Sequence, residues 1–147
     1  MTDDTQKIAR SRYEYIAEIP TRWMDNDVYG HVNNVNYYSF FDTAVNGFLI
    51  ENGALDIRDG GVIGLVVETH CQYYSPLSFP DLVEAGIAVS KIGNSSVRYE
   101  ISLFAEGEDV PAAQGYFVHV YVDRTTRRPT SLPETLKSLL GTILLSN

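Results

Sequence analysis

Residues 25–34 read DNDVYGHVNN, so ten positions hold two carboxylates, an imidazole, three carboxamides and a glycine. A carboxylate in such a cluster can attack an electrophilic carbon or draw a proton from water. A histidine beside it adds a group that small changes in surroundings carry across neutrality. Directly downstream, NVNYYSFFDTAVNGFLIEN sets Val35, Tyr38, Phe41, Val45, Phe48 and Leu49 at helical spacing. Asn36, Ser39, Thr43 and Asn46 form a narrow polar stripe between them. An apolar face this wide predicts a largely buried helix. Asn33 or Asn34 is expected to cap its start, and Asn52-Gly53 to stop it. The first turn of a helix carries unpaired N–H groups and a partial positive charge. The polar loop therefore places a carboxylate, Asp25 or Asp27, beside donors able to polarise a carbonyl as an oxyanion hole does.

The remaining elements have to position that loop. YEYIAEIPT alternates as a strand with Pro20 near its end. VIGLVVETHCQYYSPL is read as a strand with Ile63, Leu65, Val67, Thr69, Cys71 and Tyr73 on one face. DLVEAGIAVSKI and SSVRYEISLFAEG are joined by a Gly-Asn turn, and in the second Val97, Tyr99, Ile101 and Leu103 alternate with polar residues. EGEDV reads as the next hairpin turn. The stretch after it, centred on GYFVHVYV, is apolar on both faces and belongs inside a sheet or at a subunit contact. SLPETLKSLLGTIL carries a capping box from Ser131 to Glu134 and predicts a short C-terminal helix. One long helix followed by an antiparallel meander gives an α+β domain of about five strands wrapped around the helix. Residues 1–12 are expected to be flexible or loosely docked, and residues 13–147 to form a single domain. Exposed sheet edges predict pairing with further copies, as a homodimer or homotetramer.

Composition narrows the function. A net charge of −8 over 147 residues opposes a nucleic-acid binder, which needs a basic face for phosphates. The single cysteine, Cys71, allows no internal disulfide. The N-terminus is polar, without the apolar core of a signal peptide, and no apolar run nears the ~20 residues that span a bilayer. A cytoplasmic protein with no membrane partner is the expectation. His31, His70 and His119 show no metal-ligand spacing, so no metal is expected. The neighbours His70 and Cys71 point to opposite faces of their strand, and Cys71 reads as a buried thiol. DGGVIG leads into a strand and is no dinucleotide loop.

The helix entry, D-x-D-x-x-G-H-V-N-N-x-x-Y, together with this element order resembles the hotdog-fold thioesterases, above all the 4-hydroxybenzoyl-CoA thioesterase family. The likeness extends over about residues 13–140 in element order and about 25 residues in identity. It implies a hotdog fold and hydrolysis of an acyl-CoA thioester to free acid and coenzyme A, with no cofactor beyond the coenzyme A of the substrate. Asp27 matches the family's catalytic carboxylate, acting as nucleophile or general base. Gly30 matches the glycine that lets the backbone approach the substrate, and Asn34 the carbonyl-polarising amide. The loop is also similar to the D-x-N-x-H-V-N-N of plant acyl-carrier-protein thioesterases, which implies a role for His31. Tyr29 departs from that pattern and could line or close the acyl pocket.

Asp25 reads as a brace paired with Arg22, and Tyr37 and Tyr38 as core or subunit contact. In hotdog proteins the strand region of Glu68 can approach a partner's site, which makes Glu68 a candidate second acid. Coenzyme A phosphates would meet Lys91 and Arg98, which flank IGNSSV, with Ser95 and Ser96 among the donors. The cluster Arg124, Arg127 and Arg128 is the alternative. An acyl-carrier-protein substrate is disfavoured, because carrier proteins are acidic and so is this chain. A hydratase or dehydratase would show His-Pro-Gly or Asp-x-Asn-Pro, and neither occurs. A non-catalytic acyl-thioester binder is the third reading.

Overall fold

The structure is a computed structural model that describes residues 7–54, 56 and 59–145. Five strands, β1 (Tyr15–Pro20), β2 (Val62–Tyr73), β3 (Leu82–Ile92), β4 (Ser96–Ala105) and β5 (Ala113–Asp123), form one sheet. Its order is β1-β3-β4-β5-β2, and every pairing is antiparallel. Helix α1 (Val35–Glu51) packs on one face, and α2 (Glu134–Gly141) closes the end of the chain.

α1 forms where the apolar spacing predicts it. Tyr37, Phe40, Phe41, Ala44, Val45, Phe48 and Leu49 are buried. Against them lie the inward residues of the strands, among them Ile19, Val83, Ile87, Val97, Tyr99, Ile101, Leu103 and Phe117. Each large side chain so buried stabilises the fold by about 1.5–3 kcal/mol. Tyr38 is half-buried, and Val35, expected on the apolar face, is exposed in the first turn. The helix ends at Asn52, and Gly53 takes the left-handed conformation (φ 67°) expected of a stop residue.

Two local expectations are corrected. β2 does not keep one alternation along its length. Val66 pairs with His119 but Glu68 pairs with Val118, so Val67 is the extra residue of a bulge. Past the bulge the faces exchange: Thr69, Cys71 and Tyr73 oppose the inward Phe117, Gly115 and Ala113, whereas Ile63 and Leu65 point outward. The Ser131–Glu134 capping box does not form. Pro133 (ψ 144°) stands at the N-cap without a side-chain cap bond, and the Ser131 hydroxyl reaches Asn94 Oδ1 at 3.5 Å instead.

The outer face of the sheet carries a smaller core of Ile8, Tyr13, Ala88 and Phe104. Residues 7–12, from the segment expected to be flexible, lie against it. Ile8 is buried, and the Arg10 guanidinium grips both Glu84 oxygens at 2.7 and 2.6 Å. Positions 1–6 lie outside the described residues. β5 stands between β4 and β2, as its two apolar faces require, and β2 is a sheet edge. No helix among the described residues is long and apolar enough to cross a membrane.

Candidate active site

Between β1 and α1 the polar loop closes on itself. Asp27 N–H donates to the His31 carbonyl at 2.9 Å and Gly30 N–H to the Asp27 carbonyl at 3.0 Å. Gly30 takes φ 81°, a conformation that strains any residue with a Cβ. Three bonds lash this loop to the segment after β2: Val32 N–H to the Leu77 carbonyl (2.7 Å), Ser78 Oγ to the Gly30 carbonyl (2.9 Å) and Phe79 N–H to Asn26 Oδ1 (3.0 Å). Asp25 is buried and anchors the entrance, accepting from the Arg22 N–H (2.8 Å) and the Arg22 guanidinium (2.9 Å). Its carbonyl accepts from Asn33 N–H and Asn36 Nδ2. Asp25 thus has the geometry of a brace.

Asp27 is half-buried, and both its oxygens accept hydrogen bonds. Tyr29 N–H donates to Oδ1 at 2.9 Å, and Asn33 Nδ2 to Oδ2 at 3.3 Å. The other end of the Asn33 amide caps α1, where Oδ1 accepts from Val35 N–H at 3.0 Å. One side chain therefore ties the carboxylate to the start of the helix.

Asn34 holds the N-cap position with φ −58° and ψ −26°, and its side chain makes no cap bond. The carbonyl of the preceding peptide, that of Asn33, accepts from Asn36 N–H at 3.0 Å. In a trans peptide the N–H points opposite to the C=O. The Asn34 N–H is thus directed out of the helix start, and it has no acceptor among the described residues.

Asp27, His31, Val32, Asn34, Tyr37, Tyr73, Tyr74, Ser75 and Pro76 line one concavity of about 400 Å³. It unites the three residues singled out for chemistry, Asp27, His31 and Asn34. Its far wall went unnoticed in the sequence. Tyr73 ends β2, its hydroxyl donates to the Asn34 carbonyl at 3.3 Å, and its ring stands edge-on to Tyr37 at 4.9 Å. Burial pushes the Tyr73 phenol up to about 12. The signal available was the aromatic pair before Ser75-Pro76, at the point where a strand must end.

The other expected contacts lie elsewhere. Tyr29 and Gly30 belong to the loop but are exposed beside the concavity and do not line it. Glu68 and Arg98 meet on the outer face around Tyr116. The Tyr116 hydroxyl donates to Glu68 at 2.5 Å, and the Arg98 guanidinium lies 3.8 Å from the ring centre while bonding Glu100 at 2.7 Å. Lys91, Ser95 and Ser96 sit at the β3–β4 turn. From there to Leu103, at the end nearer Asp27, β4 runs about 23 Å. His70 stacks on Tyr116 on the outer face, while Cys71 faces inward and burial raises its thiol to about 11. The pair is no nucleophile and base.

Residues 21–140 match the thioesterase-like superfamily, so the chain belongs to that family. The fold is the hotdog fold, and the class of enzyme is a thioester hydrolase. The crystal structure of the PA5185 protein from Pseudomonas aeruginosa strain PAO1 is similar at 51% identity and a TM-score of 0.93, covering 95% of this chain and 98% of that one. The gentisyl-coenzyme A thioesterase BH1999 shares the fold at 23% identity and a TM-score of 0.75, covering 86% and 99% of the two chains. So does Slr0204, a 1,4-dihydroxy-2-naphthoyl-CoA thioesterase from Synechocystis, at 14% identity and a TM-score of 0.78, covering 86% and 95%.

Proposed function

We propose that the protein hydrolyses an acyl-coenzyme A thioester to the free acid and coenzyme A at the concavity holding Asp27. The observation that carries this reading is that Asp27, whose carboxylate is half-buried, and Asn34, whose N–H has no acceptor among the described residues, line the same hollow. The thioester carbonyl oxygen accepts from the Asn34 N–H, helped by the partial charge of α1. Asp27 then either attacks the carbonyl carbon, giving a mixed anhydride that water opens at the Asp27 carboxyl carbon to release the acid and restore the carboxylate, or takes the proton of a water that attacks the thioester directly. The carbon–sulfur bond breaks, and the sulfur leaves as the coenzyme A thiolate. His31, exposed on the same wall, is placed to pass the proton to solvent. Relatives named as coenzyme A thioesterases favour coenzyme A over a carrier protein.

The working unit in this reading is a homodimer joined along β2. That edge exposes Leu65, Val66 and Val67 and ends at Tyr73 in the wall of the site. Substrate contacts by Tyr29, Gly30 and Glu68, and coenzyme A contacts by Lys91, Ser95, Ser96 and Arg98, belong to the same proposal. Those of the outer face and the far turn would come from a second copy.

The test is free-thiol release from a panel of short, medium, long and aryl acyl-CoA thioesters by wild type and Asp27→Asn. Turnover that falls at least about 100-fold in the variant, with fold and mass in solution unchanged, supports the reading. Unchanged turnover in the variant removes Asp27 from the mechanism. Single turnover in H₂¹⁸O separates the two routes, since only the nucleophile leaves the label in Asp27.

A further inference from the structure

Tyr73 touches the first turn of α1 twice. Its ring packs edge-on against Tyr37, which is buried, and its hydroxyl bonds the Asn34 carbonyl. That carbonyl belongs to the Asn34–Val35 peptide, whose N–H is held by Asn33 Oδ1 at 3.0 Å. Tyr37 N–H reaches the same carbonyl, also at 3.3 Å. The peptide plane that follows the Asn34 N–H is therefore pinned on both sides, by Asn33 from the loop and by Tyr73 from the end of β2. Thirty-nine residues separate Tyr73 from Asn34, so this is a tertiary strut and no part of the helix's own bonding. Helices fray at their ends, and a first turn whose N-cap residue, Asn34, makes no side-chain cap bond depends on such partners from outside the helix.

We propose that Tyr73 is a positioning residue for hydrolysis: through the Asn34 carbonyl and the Tyr37 ring it sets the pose of the N–H that polarises the thioester carbonyl. The inference rests on the reading of the Asp27 concavity given above. An oxyanion donor acts through its aim at the place where charge develops. A small rotation of the Asn34 peptide weakens the bond in the transition state more than it weakens binding of the substrate.

The experiment compares wild type, Asp27→Asn and Tyr73→Phe on the best acyl-CoA thioester of the panel, and records the Asn34 and Val35 amide signals of ¹⁵N-labelled protein. Tyr73→Phe keeps the ring on Tyr37 and removes one hydroxyl. The expected result is a kcat lower by about 5- to 20-fold with KM changed less than about 2-fold, a fraction of the 10²–10³ that follows loss of an entire oxyanion donor. Both amide signals shift, and the thermal midpoint stays within about 2 °C. A purely structural tyrosine would move the midpoint and leave kcat per folded molecule alone. Unchanged kcat in Tyr73→Phe, with Asp27→Asn inactive, overturns the positioning role and leaves the site reading standing. A raised KM at unchanged kcat overturns it in favour of direct contact with substrate. Absence of turnover by wild type on every thioester overturns both readings together.

Discussion

Replacing His119 by Phe is expected to remove a specific acid sensitivity from the fold. The imidazole lies on the inner face of β5, stacked on Phe117 and edge-on to Tyr99 at 5.0 Å, with Tyr121 beyond. It is 4% exposed, and among the described residues its Nε2 has no hydrogen-bond partner. The titratable groups turned toward it are the hydroxyls of Tyr99 and Tyr121, which bond each other at 2.7 Å. Burial among these rings lowers the imidazole pKa from 6.5 to about 4. A depressed folded value means that stability is full above the unfolded pKa near 6.5. It is lost as pH falls toward 4, because the unfolded chain binds a proton the folded one refuses. At about 1.4 kcal/mol per unit, the loss reaches about 2 kcal/mol at pH 5 and about 3 kcal/mol below pH 4. For a chain of this size, 2 kcal/mol lowers the thermal midpoint by about 4–8 °C between pH 8 and pH 5.

Phe is somewhat larger than His, and overpacking can cost the variant about 1–3 kcal/mol at every pH. The informative quantity is therefore the difference between pH 8 and pH 5 within each protein. It is read by differential scanning calorimetry at one protein concentration, since association also shifts the midpoint. The wild-type difference should shrink by about 4–8 °C in His119→Phe. An equal pH dependence in the two proteins, or an imidazole that titrates near 6.5 by NMR in the folded state, would refute the argument.

Two further substitutions probe how the sheet carries the site. A Cβ on Gly115 would collide with the His70 carbonyl and sit 2.9 Å from Cys71 Cα, both backbone atoms of β2. Gly115→Ala should cost at least about 3 kcal/mol in urea denaturation and loosen β2, so a midpoint within about 0.5 kcal/mol of wild type contradicts the close β2–β5 approach. Arg10→Ala removes the fork on Glu84, whose carboxyl the guanidinium holds below its usual value. Arg10 is partly exposed, so the cost at pH 7 is about 1 kcal/mol. It should fade as pH drops through the Glu84 value, because that stability exists only above the unfolded carboxyl pKa. Urea midpoints at pH 7 and pH 3 check both statements, and a cost undiminished at pH 3 rules out the ion pair as its source.

The helix and its loop were legible because their determinants are local. The apolar spacing of α1, its Asn-Gly stop and the Asp25, Asp27 and Asn33 contacts all fall between residues 22 and 53. The bulge at Val67 was not legible, since it is a property of the pairing with β5 and no residue type announces it. The Ser131 cap failed because Pro133 holds its neighbour extended, leaving the hydroxyl too far from the helix start that follows. Tyr73 escaped notice for a third reason: its partner Asn34 is distant in the chain and near only once β2 lies beside α1.

Strand parity explains the separation of the coenzyme A candidates from Asp27. β1 ends at Pro20, opposite Leu82 at the start of β3, so the Asp27 loop and the β2–β3 connection share one end of the sheet. Successive hairpin turns in an antiparallel meander alternate between ends. The β3–β4 turn with Ser95 and Ser96 must then fall at the far end, and the β4–β5 turn at the near one. Within one chain the near end offers residues 74–81 and 106–112 to a ligand at Asp27. The first of these supplies Tyr74, Ser75 and Pro76 to the wall that was found. An antiparallel partner laid along β2 reverses the ends. It would bring the far turn of one chain toward the near end of the other, which is how Lys91, Ser95 and Ser96 could serve a site to which their own chain gives only its loop.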